Sequence, residues 1–175
     1  ELYLRGAKVK LIHGEGSYSP PEYLPHKIVS TYDEYLTEVM AELSNDYRYG
    51  IFSAAVADYQ PTQVFPGKIP SGELAKIDLI PTQKVISGVR AKFPSLGMIT
   101  FKYQENISHE KLIDIAKSRL QDGYQMVVAN RGEEHQDTGS QVAYLVTKDQ
   151  SPQKVVGKGE IAKAIANYLE ATCDQ

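Results

Sequence analysis

The sequence has little of what marks several large classes of protein. Cysteine occurs once, as Cys173, so no disulfide can form within the chain, and a reducing compartment is expected. No apolar run approaches the roughly 18 residues that a membrane span needs, and the chain does not open with a signal peptide. We therefore expect a cytoplasmic protein that works without a membrane partner.

Basic charge is not in excess either. Lysine and arginine total 19 against 22 acidic residues, which gives a net charge of −3 and disfavours nucleic acid as a partner. Neither of the common glycine-rich phosphate loops occurs, and "HGEGSY" at residues 13–18 is a weak substitute because no helix pattern follows it. The four histidines lack metal-ligand spacing, so no protein-held metal is predicted.

Strand and helix patterns alternate along the chain. The apolar run at residues 49–59 is typical of a strand buried on both faces, and further strands are predicted at 97–104, 125–131 and 141–149. Strands separated by helices of 10 to 15 residues indicate a parallel sheet with right-handed crossovers. We expect an α/β fold, a Rossmann-like three-layer sandwich with a mostly parallel sheet, in a single domain over residues 1–175.

Several helix boundaries can be predicted from local signals. Ser30 or Thr31 can cap a helix that follows, and Ser108 can cap another. Pro81 is expected to begin a helix and Pro94 to stop it. The last helix carries a regular apolar face at residues 161, 165 and 169.

Unusual residues follow three of the predicted strands. Asp58 ends the first, Phe101 and Lys102 end the second, and Asn130 ends the third. Because parallel strands end at the same edge of a sheet, where α/β proteins bind ligands, these residues should be neighbours. Each also has an ordinary interpretation: Asp58 and Asn130 could cap turns, Phe101 could be core, and Lys68 could be a solvated loop lysine.

Several stretches together resemble one enzyme family. "AAVADYQP" from Ala54, "GKIPS" from Gly67, "FKYQEN" from Phe101 and "VVANR" from Val127 occur in this order, and "QVAYLVTKD" and "GEIAKAIANYLE" complete the pattern. The chain resembles the phosphopantothenate–cysteine ligase family of coenzyme A biosynthesis over essentially its whole length.

The resemblance implies a reaction and a set of partners. A nucleoside triphosphate, CTP or ATP, would activate the carboxylate of 4′-phosphopantothenate, and cysteine would then attack the acyl-nucleotide. Mg²⁺ is expected on the phosphates. Family members are homodimers, and "QVAYLVTKD" is a candidate for the subunit edge.

The resemblance also implies residue roles. Lys68 matches the family's catalytic flap lysine, in a lid over residues 62–72 that should be mobile without ligand. The positions that match phosphopantothenate-binding residues are Ala54, Ala55 and Asp58. The positions that match nucleotide-binding residues are Phe101 and Asn130, and Lys102 is expected to meet the triphosphate.

Two departures from the family pattern leave alternatives open. The family begins with a strand, a glycine-rich segment and an I-T-N segment, which are missing here, so an N-terminally incomplete domain is expected. Arg131-Gly132-Glu133 replaces the bacterial sequence after Asn130, which leaves the base preference open. The alternatives are a binding protein that has lost catalysis, an NAD-dependent oxidoreductase, which would need a G-x-G-x-x-G loop, and a structural module.

Overall fold

The fold is that of a computed structural model, which describes residues 1–16, 19–64, 66–68, 72, 76–134 and 139–173. Its strands are β1 (Leu11–Gly14), β2 (His26–Val29), β3 (Tyr49–Phe52), β4 (Tyr59–Pro61), β5 (Leu79–Pro81), β6 (Gly97–Gln104), β7 (Met126–Arg131), β8 (Val142–Val146) and β9 (Gln153–Val156). Its longer helices are α1 (Tyr32–Glu42), α2 (Val85–Lys92), α3 (His109–Leu120) and α4 (Lys158–Cys173).

The main sheet has the strand order β3-β6-β7-β8-β9. β3, β6 and β7 run parallel, whereas β8 and β9 are antiparallel to their neighbours. Two smaller sheets are formed by the parallel pair β1-β2 and the antiparallel pair β4-β5. The predicted α/β class is confirmed, and β9 is a strand that the sequence reasoning did not predict.

Helices cover both faces of the main sheet. Successive side chains of a strand point to opposite faces, and the buried residues of β6 follow this rule. Met98 packs in a cluster with residues of α1 and α2, while Ile99 packs in a cluster with residues of α4. α3 packs on alternate residues of β7 and β8, so the three-layer arrangement predicted from the sequence is present.

Most of the predicted helix signals are confirmed. Thr31 is the N-cap of α1, where it forms a reciprocal capping box with Glu34. Ser108 caps α3 by accepting a hydrogen bond from the backbone N–H of Lys111 at 3.2 Å. Pro81, however, does not begin a helix, because it pairs with Tyr59 as the last residue of β5.

The predicted strand at residues 49–59 is too long and too buried. β3 ends at Phe52, and the alanines that follow are exposed. Within the described part of the chain β3 pairs only with β6, at the edge of the main sheet, so its apolar run is not enclosed on all sides.

The segment at residues 141–149, predicted as a candidate subunit edge, does not lie at the edge of the sheet. β8 lies between β7 and β9, and all five of its residues are buried, so the exposed edge of the sheet at this end is β9. Among the described helices, none combines the length and the apolar character that crossing a bilayer requires.

Candidate functional site

A cavity of about 440 Å³ lies where the three parallel strands end. The residues predicted to meet at this edge that line it are Ala54, Ala55, Asp58, Phe101, Lys102 and Asn130. Their juxtaposition is therefore confirmed, because β3, β6 and β7 are neighbours in the sheet and run in the same direction. The roles assigned to these residues stay predictions.

Phe101 and Lys102 do not end β6 as predicted, because the strand continues to Gln104. They contribute to the cavity from opposite faces of the sheet. Lys102 lies on the face of α2 and α3, and it is half-buried. Phe101 lies on the other face, where it packs against the cluster that includes Ile161 and Ile165 of α4. Phe101 also lines a second, apolar cavity of about 430 Å³. The ring is therefore part of the core and at the same time part of the wall of both cavities.

Positive charge dominates the first cavity. Lys84, Lys102 and Arg119 line it, and Asp58 is the one acidic residue among the described residues that do so. The pKa of Lys102 is lowered, chiefly because the amine is partly buried. The charges of Arg119 and Lys84 lower it further, and the charge of Asp58 opposes the shift. A cavity with these charges favours an anionic ligand.

The start of α2 adds to the same electrostatic field. Lys84 is the N-cap of α2, but no side chain caps the helix by a hydrogen bond. The first backbone N–H groups of a helix lack partners within the helix, and its N-terminus carries a partial positive charge. Val85 and Ile86, the first helical residues, both line the cavity.

Asp58 is held by its backbone and only loosely by its side chain. The backbone N–H of Thr82 donates to the Asp58 carbonyl at 2.9 Å, and Thr82 Oγ1 donates to the Ala57 carbonyl at 2.5 Å. The carboxylate Oδ1 lies 3.2 Å from Lys84 Nζ, with the two side chains 72% and 68% exposed. Ion pairs this exposed contribute little stability, so Asp58 can exchange Lys84 for another partner readily.

The loop that carries Lys68 begins and ends beside the cavity. β4 and β5 form an antiparallel pair just after Asp58 and just before Thr82, so the segment between them leaves from the cavity rim. Lys68 itself is exposed and is not among the described lining residues. Residues 65 and 69–71 of the predicted lid lie outside the described residues. The structure thus does not bring Lys68 together with the other predicted site residues.

Asn130 lies in β7, one residue before the strand ends, and the segment after β7 is held at several points. Asn130 pairs in register with Tyr103 of β6. The next residue, Arg131, donates from Nη1 to the Ile107 carbonyl at 2.8 Å. Further along this segment, Glu134 Oε1 accepts a hydrogen bond from the hydroxyl of Tyr144, in β8, at 2.7 Å. The segment is therefore tied both to the β6–α3 loop and to β8.

A tyrosine side chain approaches Gly132 closely in the segment after β7. Tyr103 donates its hydroxyl to the carboxylate of Glu105, and this hydroxyl lies over Gly132. A Cβ added at Gly132 would be 2.7 Å from the tyrosine oxygen. An aromatic side chain of the cavity wall thus lies against Gly132, two residues after Asn130.

Sequence reasoning assigned no role to several side chains of the cavity, among them Thr100, Lys84 and Arg119. Lys84 occurs within a segment predicted to be helix, and Arg119 occurs in the last turn of α3, where a basic residue is common. No local signal separates such residues from ordinary surface residues. Among the residues that the structure describes, no group of three or more histidine, cysteine or acidic side chains could hold a metal.

Residues 1–172 match the protein family described as the DNA/pantothenate metabolism flavoprotein, C-terminal domain. The chain belongs to this family. One similar protein is the coenzyme A biosynthesis bifunctional protein CoaBC of Thermococcus kodakarensis, which is 33% identical over 133 residues. That alignment covers 74% of this chain but 32% of the relative, so the chain spans about a third of the curated protein.

Solved structures share the fold of this flavoprotein C-terminal domain. The crystal structure of the DNA/pantothenate metabolism flavoprotein from Streptococcus pneumoniae superposes with a TM-score of 0.81 at 27% identity, over 98% of this chain and 84% of that chain. A Cab2 mutant in complex with phosphopantothenate-cysteine gives a TM-score of 0.59 at 18% identity, over 88% of this chain and 56% of that chain. The second likeness concerns the fold alone.

Proposed function

We propose that this domain catalyses the ligation of 4′-phosphopantothenate to cysteine, driven by a nucleoside triphosphate. Membership of the flavoprotein family and the likeness to a coenzyme A biosynthesis protein support the pathway. Phosphopantothenate-cysteine, the ligand of the Cab2 structure, is the product that this reaction would make. The observation that carries the proposal is the cavity at the strand ends, which is lined by three cations and one carboxylate.

The reaction needs two anions to meet. A carboxylate oxygen of phosphopantothenate attacks the α-phosphorus of the triphosphate, the bond from this phosphorus to the bridging oxygen breaks, and pyrophosphate leaves. The amine of cysteine then attacks the acyl carbon, the nucleoside monophosphate leaves, and the nitrogen loses a proton as the amide forms. Fixed positive charges lower the cost of bringing carboxylate and phosphate together.

The lining residues suit these ligands. Ala54 and Ala55 are small and exposed, which allows a pantetheine-like chain to lie against the backbone beyond β3. Asp58, whose ion pair with Lys84 is weak, would accept a hydrogen bond from the hydroxyl or amide of that chain. Phe101 and Asn130 would contact the nucleotide, and Lys102 would meet its phosphates.

Lys68 would act from a lid that closes over the reacting groups. Its loop starts at the cavity rim, so a closing movement of the β4–β5 arm would bring the lysine towards the carboxylate. Mg²⁺ would be held by the phosphates of the nucleotide, because Asp58 is the only acidic side chain among the described lining residues and Mg²⁺ is commonly bound in this shared way. We further propose a cytoplasmic homodimer.

The test is pyrophosphate release by the full-length protein with 4′-phosphopantothenate, cysteine, Mg²⁺ and either CTP or ATP. The Lys68→Gln variant should lower kcat by roughly 10²- to 10³-fold, the usual effect of removing one group that stabilises transition-state charge. The melting temperature should stay unchanged, because Lys68 is exposed. Lys76→Gln is a matched control, since Lys76 is an exposed lysine between the same two strands and forms an exposed ion pair with Asp78 at 3.3 Å.

The outcomes separate two functions. Release that depends on phosphopantothenate and collapses only in Lys68→Gln supports the ligase and identifies the nucleotide. If the folded full-length protein releases no pyrophosphate with either triphosphate, the ligase proposal is wrong, and a binding protein without catalysis remains.

A further inference from the structure

The wall of the cavity contains a buried hydroxyl that makes no hydrogen bond within the described part of the chain. Thr100, in the middle of β6, is 1% exposed and lines the cavity. Its Oγ1 has no hydrogen-bond partner among the described residues. Buried polar atoms are nearly always paired, and valine, which has the same shape, would occupy this place without an unpaired hydroxyl. An unpaired buried hydroxyl at a cavity wall points to a ligand.

The groups around Thr100 indicate which ligand. Lys102, two residues further along β6, lies on the same face of the sheet. Arg119 and Lys84 line the same cavity and are close enough to Lys102 for their charges to lower its pKa. Arg119 is held in place by the ring of Tyr124, with 5.8 Å between the guanidinium carbon and the ring centroid. Three cations and a hydroxyl donor match an oxygen-rich polyanion.

We propose that Thr100, Lys102, Arg119 and Lys84 form a polyphosphate subsite, in which the Thr100 hydroxyl donates to a phosphate oxygen of the nucleotide. The inference rests on the proposed function and adds to it the part of the cavity that holds the triphosphate. The phosphate of 4′-phosphopantothenate offers the same chemistry, but its smaller negative charge matches three cations less well than a polyphosphate does.

Thr100 offers a test that separates ligand binding from folding. Thr100→Val removes the hydroxyl and keeps the shape. Without ligand, the variant should melt at the same temperature as the wild type or higher, because an unpaired buried hydroxyl is lost. Its affinity for polyphosphate should nevertheless fall by about tenfold or more, since hydrogen bonds to charged groups are among the stronger ones. Thr100→Ser, which keeps the hydroxyl, should bind within about threefold of the wild type.

The measurement is isothermal titration of the full-length protein with pyrophosphate, CTP, ATP and 4′-phosphopantothenate in separate arms. Thr100→Val and Arg119→Gln should weaken pyrophosphate and at least one nucleotide, while 4′-phosphopantothenate binds as in the wild type. Lys117→Gln is the charge control for Arg119→Gln, because Lys117 is exposed on the same helix and does not line the cavity.

Each other outcome overturns the subsite. Equal affinities of wild type and variants for pyrophosphate and nucleotides mean that these residues hold no phosphate. A loss confined to 4′-phosphopantothenate assigns the cluster to the other substrate. A lower melting temperature of Thr100→Val with unchanged affinity assigns the hydroxyl to folding. In all three cases wild-type pyrophosphate release in the ligase assay shows whether the proposed function survives.

Discussion

Replacing Tyr144 with phenylalanine tests the hydrogen bond that ties the segment after β7 to β8. Tyr144 is 8% exposed, and its hydroxyl donates to Glu134 Oε1 at 2.7 Å. A hydrogen bond to a charged group contributes about 1.5–3 kcal/mol. With about 2.1 cal/mol/K of unfolding entropy per residue, a chain of 175 residues should melt about 4–8 °C lower without this bond.

The pH dependence of this loss gives a second and sharper check. Burial, and then the hydrogen bond to Glu134, raises the pKa of Tyr144 from 10.0 to about 12. Below pH 10 the hydroxyl is protonated in both the folded and the unfolded chain, so the bond contributes fully. Between about pH 10 and 12 the unfolded chain loses this proton and the folded chain keeps it, so the contribution is lost as the pH rises.

The assay is urea unfolding of the full-length wild type and Tyr144→Phe at a series of pH values from neutral to strongly alkaline. The difference in unfolding free energy should be largest below pH 10 and should shrink towards pH 12. Tyr103→Phe is a matched control, because Tyr103 also donates to a glutamate but is 50% exposed; it should change stability by about 0.5 kcal/mol or less. Equal losses in the two variants, or a difference that does not shrink, would refute the reasoning.

Two further predictions concern the cavity. Ala55→Leu should weaken binding of 4′-phosphopantothenate at least about tenfold, because a larger side chain fills the space beside the backbone. The melting temperature should not change, because Ala55 is exposed. Titration calorimetry and a melting curve check the two results, and normal affinity would contradict the role of the small residue. The affinity for nucleotide should fall with rising pH before an ordinary lysine titrates, because burial, Arg119 and Lys84 lower the pKa of Lys102 against the opposing effect of Asp58. This early part of the pH profile should be missing in Lys102→Met, and a profile identical to that of the wild type would count against the assignment.

Much of the fold follows from local patterns. Thr31 and Ser108 cap their helices as predicted, because capping depends on a few consecutive residues. The meeting of Asp58, Lys102 and Asn130 also follows from the sequence, since three parallel neighbouring strands lead to the same edge of the sheet, although Asp58 lies six residues beyond the end of β3. Where local rules compete with pairing, prediction fails: Pro81 has the residue type of a helix start, yet it pairs in β5.

Burial was predicted less well than strand identity. The apolar run after Tyr49 indicates a strand, and β3 is one, but position at a sheet edge determines how much of it is covered. The sequence predicts β8 as a candidate edge strand, but β9 pairs with it and covers that edge. Both errors have the same cause, because the order of strands in a sheet depends on contacts between segments that are distant along the chain.

By itself, the sequence determines the α/β class, the helix caps and the set of residues at the strand ends, because each depends on the chemistry and spacing of nearby residues. The tertiary structure alone decides that Lys84 and Arg119 join Lys102 around one cavity and that the Thr100 hydroxyl is buried there without a partner. A lysine before a helix, an arginine in a last helical turn and a threonine in a strand are each ordinary locally. Their charges and hydrogen-bonding atoms become a site only when the packing of α2 and α3 on the sheet brings them together.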